Sequence, residues 1–276
     1  MNSQAFENAA APEPSIINPT PWECFGTAIQ FLTRIPVSGT MEKSAEYYYA
    51  ALKLSVIYFP VVGGLVGLLT AIVLVACVKI GLPVLVAAFI ALAMEAALTG
   101  AFHEDAFADT WDALGGGWTR EQVLEIMKDS RLGTYGTLAL VTGVGCRAAA
   151  VASIASNWGW WTPIPLMAAS SLGRIAIVAM MATTAPIEDR ASQARDVSGT
   201  QTHQRVWIAA GLSAVFWLPW VLVSFPSAIL SCIAAVAVFV WFRNKILTRV
   251  GGTTGDLLGC TAFLIQLIFT IGASAR

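Results

Sequence analysis

The sequence predicts an all-α, polytopic integral membrane helical bundle, with about seven transmembrane helices plus an N-terminal interfacial or re-entrant helix. Of its 276 residues, 57% are hydrophobic and 12% are charged, whereas soluble domains are about 45–50% apolar and about 25% charged. The mean hydropathy is +0.69, and the apolar residues collect into runs near the ~20 residues that cross a bilayer. This composition argues against a soluble enzyme, and the net charge of −1 indicates no nucleic-acid partner.

The N-terminal region differs from the rest of the chain. Residues 1–21 hold four prolines and two glutamates but no basic segment followed by an apolar core, so we predict a disordered cytoplasmic tail rather than a signal peptide. Residues 22–276 then form a single membrane-embedded catalytic domain. Its first segment, residues 22–35, is apolar but too short to cross a bilayer comfortably, which predicts the interfacial or re-entrant helix.

Seven long apolar runs follow, and we predict that each is a transmembrane helix. They lie at residues 54–78, 83–102, 135–156, 161–182, 206–223, 225–242 and 257–273. With the N-terminus inside, 12 of the 16 Lys and Arg residues fall on the inner side, as the positive-inside rule requires. We therefore expect a multi-pass protein of the cytoplasmic (inner) membrane, in contact with membrane lipid, whose active-site loop at residues 102–134 faces the cytoplasm.

This loop carries a row of acidic residues. Asp105, Asp109 and Asp112 are spaced i, i+4, i+7, which places the three carboxylates on one face of a helix. The row repels itself unless a cation binds, and carboxylate oxygens suit Mg²⁺, which also binds diphosphate oxygens. An acidic helix end exposed at the membrane surface is the alternative. Because the adjacent Gly116 and Gly117 would let the backbone approach a phosphate closely, the pattern favours a metal–phosphate site.

Basic residues nearby are candidate phosphate ligands. Lys128 and Arg131 lie one helical turn apart, with Ser130 between them, and this spacing suits a clamp on phosphate oxygens. Ordinary positive-inside anchoring is the alternative for both cations. Asp256 follows a glycine-rich turn at the start of the last span, which predicts either an anion site at a helix N-terminus or a helix cap.

Other ionisable residues fall at or near the ends of predicted spans. Glu95, Arg147 and Arg174 need partners there, because an uncompensated charge is costly in a bilayer. An intramembrane ion pair and a substrate pocket facing the inner leaflet explain them equally well. His103 precedes Asp105 by two residues, and we interpret it either as a structural histidine or as a group that orients a carboxylate or assists proton transfer.

Several blocks of the sequence share the pattern of one known family. Two of them lie at residues 31–36 and 254–259, so the blocks extend over most of the chain. The other matching residues are Leu98, Thr99, Gly100, His103, Asp105, Asp109, Thr110, Asp112, Glu125, Ile126, Met127, Asp129, Ser130, Gly133 and Gly136. With these residues the chain resembles the cobalamin synthase family, the adenosylcobinamide-GDP ribazoletransferases. The combined pattern is specific to that family, whereas no single block is.

The sequence departs from the family pattern at a few positions. Ala106 and Ala113 stand where members usually have glycine after aspartate, which concerns the local backbone more than metal binding. Ala262 and Phe263 occupy the zone after Gly259 in which members usually carry a further acidic residue. Ala262 and Phe263 therefore cannot supply whatever role that acidic residue has in the family.

The resemblance implies a reaction. Family members join adenosylcobinamide-GDP to α-ribazole, or to its 5′-phosphate, and release GMP, giving adenosylcobalamin or its 5′-phosphate. For this reaction we hypothesise that aspartates hold Mg²⁺ on the diphosphate, that Asp112 or Asp109 accepts the proton of the attacking hydroxyl, and that basic residues neutralise the departing phosphate. The predicted metal ligands are Asp105, Asp109, Asp112 and Asp129. The predicted catalytic residues are Asp109, Asp112 and His103, and the predicted substrate and phosphate ligands are Lys128, Ser130, Arg131, Gly116, Gly117 and Asp256.

Two other functions stay open from the sequence. A CDP-alcohol phosphotransferase-like lipid synthase also uses paired aspartates, but the Ala-Arg pair of its motif is missing beside Asp109 and Asp112. A small-molecule transporter would use intramembrane charges such as Glu95 and Arg174, whereas the polar groups here cluster at cytoplasmic span ends. No motif selects between a homo-oligomer and corrinoid-pathway enzymes as protein partners, or between free and phosphorylated ribazole.

Overall fold

The computed structural model describes residues 18–38, 43–129, 131–187, 197 and 201–275. This part of the chain is helical, and its one extended pairing is an isolated β-bridge between Pro186 and Thr253. Short 3₁₀ turns lie at Val56–Tyr58 and Gly159–Trp161. The α-helices are α1 (Pro21–Leu32), α2 (Ala45–Ser55), α3 (Phe59–Lys79), α4 (Val84–Thr99), α5 (Phe102–Gly116), α6 (Arg120–Ile126), α7 (Thr134–Trp158), α8 (Pro163–Thr183), α9 (His203–Leu212), α10 (Ala214–Val223), α11 (Phe225–Arg249) and α12 (Gly255–Ser274).

The predicted fold class, a polytopic helical membrane bundle, is confirmed. Two bent helix pairs, α4 with α5 and α9 with α10, are each long and apolar enough to cross a membrane when the two helices of the pair are counted as one span. Each of the seven predicted spans coincides with one of these pairs or with a single helical stretch. The single stretches that are long and apolar enough to cross a membrane are Ala45–Lys79, Thr134–Trp161, Pro163–Thr183, Phe225–Arg249 and Gly255–Ser274.

Two predicted spans are not the straight helices that we expected. The span at residues 83–102 ends early as α4, and the chain then turns by 91° into α5. Gly100 (φ 72°) and Ala101 (φ 56°) adopt the left-handed conformation, which cannot continue a right-handed helix. The span at residues 206–223 divides at Ser213 into α9 and α10, which are bent by 72°.

The N-terminal helix α1 is short, as predicted. Its 12 residues extend over only about 18 Å, less than the thickness of a bilayer core. Phe31 of α1 stacks on Phe59 of α3 with ring centroids 5.4 Å apart. The backbone N–H of Arg34 donates to the carbonyl of Leu98 over 2.7 Å, so the segment after α1 is attached to the end of α4. Most of the predicted tail, residues 1–17, lies outside the described residues.

Helix α8 lies at the centre of the bundle and packs against α3 and α12. Glycines on α3 permit this close approach. A Cβ on Gly63 would lie 2.7 Å from the carbonyl oxygen of Ser170, and one on Gly67 would lie 2.5 Å from that of Leu166. Small residues at such crossings allow van der Waals contact between backbones, which drives helix association where lipid removes the usual hydrophobic driving force.

A buried polar network joins α4, α5 and α7. Arg147 donates to both carboxylate oxygens of Glu95 at 2.7 and 2.8 Å, and to Glu104 at 3.4 Å. Thr70 and Gln266 donate further hydrogen bonds to Glu95, at 2.9 and 3.2 Å. Glu95 is 3% exposed and Arg147 is 5% exposed. Of the two interpretations of this pair, the intramembrane ion pair is confirmed.

Candidate active site

The acidic row lies on one face of α5, and a fourth carboxylate from another helix joins it. Asp105 is exposed, Asp109 is half-buried and Asp112 is buried. The charges of Asp105, Asp112 and Asp256, the last from the first turn of α12, all act on Asp109. Within the described ranges, neither Asp105 nor Asp109 forms an ion pair with a basic residue. The site therefore gathers negative charge without a protein cation on these two residues.

The start of α12 positions Asp256 beside α5. Thr254 is the N-cap of α12, and its side chain accepts a first-turn N–H, so the alternative that Asp256 caps this helix is wrong. The Thr110 hydroxyl donates to the carbonyl of Asp256 over 3.5 Å. One turn further on, a Cβ on Gly259 would lie 2.6 Å from the Cβ of Ala106. The glycine thus allows α5 and α12 to approach closely enough to bring their carboxylates together.

Asp112 has a different environment from the other acidic residues. Its Oδ2 accepts the backbone N–H of Gly133 at 2.7 Å, and its Oδ1 accepts that of Gly136 at 2.8 Å. These donors belong to the N-terminus of α7, where a negative charge is favourable. Asp112 therefore attaches α7 to α5, and each of its carboxylate oxygens already accepts a backbone hydrogen bond. This geometry favours Asp109 over Asp112 as the proton acceptor.

The structure does not bring His103 to the acidic face. Two residues apart on an α-helix correspond to a rotation of about 200°, so His103 and Asp105 point to opposite sides of α5. His103 is 3% exposed, and its Nε2 has no hydrogen-bond partner in the described part of the chain. The charges that act on it are those of Arg174 and Arg147. This position favours the structural interpretation of His103 over the catalytic one.

The predicted phosphate-binding glycines form the turn between α5 and α6. A Cβ on Gly117 would lie 2.7 Å from the side chain of Val123, and the carbonyl of Gly117 accepts a hydrogen bond from Arg249. Gly116 is exposed, and a Cβ there would lie 3.3 Å from Ile126. The close approach that glycine permits at position 117 is to α6, within the protein. Gly116 alone keeps an exposed backbone.

The predicted phosphate clamp lies after α6, which begins with a capping box formed by Thr119 and Gln122. Lys128 is exposed. Arg131 donates to the carboxylate of Asp129 at 2.5–3.0 Å, and its side chain is 88% exposed. The hydrogen bonds from the side chain and backbone N–H of Arg131 lower the pKa of Asp129 to about 2. Asp129 therefore pairs with a protein cation, and Ser130 lies outside the described residues.

Comparison with known proteins identifies the family. A family model for cobalamin-5-phosphate synthase matches residues 24–274, which include every described element of this site. The chain belongs to the cobalamin-5-phosphate synthase family. It is therefore an enzyme, a transferase of cobalamin biosynthesis, and the resemblance stated from the sequence blocks is confirmed. The alternatives of a CDP-alcohol phosphotransferase and a transporter are set aside by this assignment.

Curated relatives agree with the cobalamin-5-phosphate synthase assignment. The chain is 35% identical to the adenosylcobinamide-GDP ribazoletransferase of Leptothrix cholodnii, over 90% of this chain and 93% of the relative. It is 37% identical to that of Rhizobium etli (87% and 92%) and 34% identical to that of Shewanella piezotolerans (91% and 96%). No solved structure matches the chain significantly.

The donor set suits a metal that binds together with its substrate. Within the described part of this cobalamin-5-phosphate synthase, no three His, Cys, Asp or Glu side chains gather closely enough to hold a metal by themselves. In this arrangement, therefore, the side chains of Asp105, Asp109 and Asp112 do not lie close enough together to bind one ion jointly. Mg²⁺ is usually bound through one or two carboxylates, with water and substrate phosphates completing its shell. Asp105, Asp109 and Asp256 offer that chemistry.

Some contacts next to the candidate site carry no signal in the sequence. Arg120 donates to the carbonyl of Val250 over 2.8 Å, and Arg249 donates to that of Gly117. Both bonds tie the loop after α5 to the end of α11, across more than a hundred residues. The polar turn before the last span marked Asp256 as a candidate site residue. The sequence pattern did not indicate that Asp256 would lie beside Asp109 of α5.

Proposed function

We propose that this chain joins adenosylcobinamide-GDP to α-ribazole, or to its 5′-phosphate, and releases GMP in a Mg²⁺-dependent reaction on the cytoplasmic side of the inner membrane. One observation carries the proposal: Asp105, Asp109 and Asp256 concentrate negative charge on one side of α5, with no ion pair to Asp105 or Asp109 among the described residues. The names of the curated relatives support the choice of substrates.

The chemistry is the transfer of a substituted phosphoryl group. A ribose hydroxyl oxygen forms a bond to the phosphorus that carries cobinamide, and the bond from that phosphorus to the GMP oxygen breaks. Mg²⁺, when bound, supplies neutralisation of the charge on the diphosphate. Asp109 accepts the proton of the attacking hydroxyl, because its carboxylate is half-buried and, unlike that of Asp112, makes no hydrogen bond to the backbone of the described residues. Asp105 and Asp256 would hold the metal ion.

The basic residues act on the leaving group. Lys128 and Arg131 lie in the exposed segment that follows α6, within the same predicted cytoplasmic loop as the acidic face. Arg131 exchanges its exposed Asp129 partner for the phosphate of GMP when the substrate binds. Such exposed pairs contribute little to stability, so the exchange is inexpensive. Lys128 adds a second positive charge to the departing phosphate.

Release of GMP tests the proposal directly. The full chain would be purified in detergent and given adenosylcobinamide-GDP, α-ribazole and Mg²⁺, and GMP would be followed by chromatography. We expect wild-type turnover that EDTA abolishes and that excess Mg²⁺ restores. Glu46→Gln, a change at an exposed acidic residue of α2, is the control and should keep full activity. Absence of GMP from the wild type, or full turnover in EDTA, would contradict the proposal.

A further inference from the structure

A cavity lies on the side of α5 that faces away from Asp105 and Asp109. We call it the aromatic groove, and its volume is about 430 Å³. That volume is within the ~300–1,000 Å³ typical of ligand sites. The residues that define the groove are Phe107, Trp111, Leu114, Tyr135, Leu138 and Lys245. It is therefore built by α5, α7 and α11, and none of the described residues that line it is acidic.

Two of the side chains that line the aromatic groove, Trp111 and Lys245, carry polar groups that can only donate. The indole Nε1 of Trp111 is buried and has no hydrogen-bond partner in the described part of the chain. A buried donor without an acceptor is costly, so a missing acceptor is indicated here. The Lys245 ammonium lies 5.7 Å from the ring of Trp241, which in turn stacks on Trp111 at 6.4 Å. A ligand that suits these groups is an anion with acceptor oxygens.

The walls of the groove indicate that the ligand also has a long apolar part. Helices α7 and α11 are the candidate spans with the smallest buried share, so their surfaces face lipid. Leu138 and Tyr135 on these walls are 60% and 55% exposed, and Trp241, which stacks on Trp111, is 48% exposed. Tyr135 lies in the first turn of α7 and Lys245 in the last turns of α11, which places the charged end of the groove at one end of both spans.

We propose that the aromatic groove binds one anionic phospholipid from the surrounding bilayer. Its phosphate pairs with Lys245, the Trp111 indole turns so that its buried N–H donates to a phosphate or ester oxygen, and an acyl chain lies along Leu138. Charge complementarity selects this occupant over a neutral lipid, since the described residues of the groove include the cation of Lys245 and no carboxylate. The lipid then joins α5, α7 and α11, next to the Asp112 contact. This inference is independent of the reaction proposed above.

Native mass spectrometry of the full chain tests the lipid site. The protein would be released from detergent after incubation with phosphatidylglycerol or with phosphatidylcholine of the same acyl chains. We expect one phosphatidylglycerol to be retained in preference to phosphatidylcholine. Lys245→Ala and Trp111→Phe should each lower that retention by about tenfold, the effect expected for a hydrogen bond to a charged group. Lys245 is only half-buried, so its variant is expected to fold.

Lys79→Ala is the matched control, because Lys79 also lies over a tryptophan, 3.6 Å from the ring of Trp160, and lines a separate cavity. This variant should retain the lipid as the wild type does. Equal retention of phosphatidylcholine, or unchanged retention by Lys245→Ala, would overturn the proposal. Displacement of the lipid by inorganic phosphate alone would show a simple anion site instead. Displacement by adenosylcobinamide-GDP would assign the groove to the substrate, and it would likewise overturn the proposal.

Discussion

The backbone N–H of Gly136 donates to Oδ1 of Asp112 over 2.8 Å, and a Cβ at position 136 would lie 2.2 Å from the other oxygen of the same carboxylate. The contact joins the buried end of α5 to the first turn of α7. Gly133 repeats it one turn earlier, at 2.7 Å to Oδ2. The two glycines are therefore spaced so that both of their backbone N–H groups donate to one carboxylate of the protein. This contact fixes the Asp112 end of the acidic face.

Gly136→Ala should destabilise the protein. The added methyl group would meet a buried carboxylate that cannot move without losing two backbone hydrogen bonds, and overpacking of this kind costs about 1–3 kcal/mol. Gly145→Ala in the same helix is the control, because a Cβ there meets nothing within 4 Å. Denaturant titration of both variants in mixed micelles would give their free energies of unfolding. Equal stability of the two variants would argue against the Asp112 contact.

The sequence predicts much of the fold because bilayer physics leaves few alternatives. Apolar runs of span length must be helices in lipid, and each predicted span coincides with a helix or a bent pair. The bend after α4 was not predicted. It depends on left-handed backbone at Ala101 as well as Gly100, and alanine gives no sign of that conformation in a sequence.

The candidate site was predicted less completely, for a physical reason. Helical spacing places Asp105, Asp109 and Asp112 on one face, but it does not say what each carboxylate meets. Asp112 meets α7, and Asp256 arrives from a helix more than a hundred residues later. Such differences depend on tertiary packing, so a local pattern identifies the residue types of a site and leaves the roles to the fold.

Asp109→Asn and Asp112→Asn should separate catalysis from structure. The first removes the proposed proton acceptor and should lower the rate of GMP release by about 10²-fold or more, with little loss of stability, because it also removes like-charge repulsion from Asp105 and Asp256. The second should lower the free energy of unfolding by about 1–3 kcal/mol, because an amide group cannot accept both backbone hydrogen bonds.

The measurements for this pair are GMP release at saturating substrate and denaturant titration in mixed micelles, on the same preparations. Wild type and Glu46→Gln provide the baselines for both. If Asp112→Asn loses turnover while its stability stays at the wild-type level, Asp112 acts in the chemistry and the assignment of the proton to Asp109 is wrong.

Arg131→Ala should raise the KM for adenosylcobinamide-GDP by about tenfold, as expected when one charge-assisted hydrogen bond to a phosphate is lost. Thermal stability should not change, since the Arg131 side chain is 88% exposed.

The hydrogen bonds from Arg131 hold the pKa of Asp129 near 2, so the carboxylate is ionised throughout the physiological range. Its protonation therefore contributes no pH dependence between pH 5 and pH 8, and Asp129→Asn should leave the pH–rate profile unshifted in a steady-state assay.

Changing one partner of the Glu95–Arg147 pair should destabilise the protein, whereas changing both partners should cost less than the two single changes combined. Arg147→Met removes the cation that is hydrogen-bonded to Glu95 and Glu104, and breaking a buried pair in this way costs about 3–5 kcal/mol. Glu95→Gln alone leaves Arg147 with the 3.4 Å contact to Glu104 and should cost less. In the double variant Glu95→Gln/Arg147→Met, Glu104 keeps the charge of Arg174 nearby, so the loss of stability should be smaller than the sum of the two single losses. A double-mutant cycle on free energies of unfolding measures this coupling; strict additivity would mean that the two side chains do not stabilise each other.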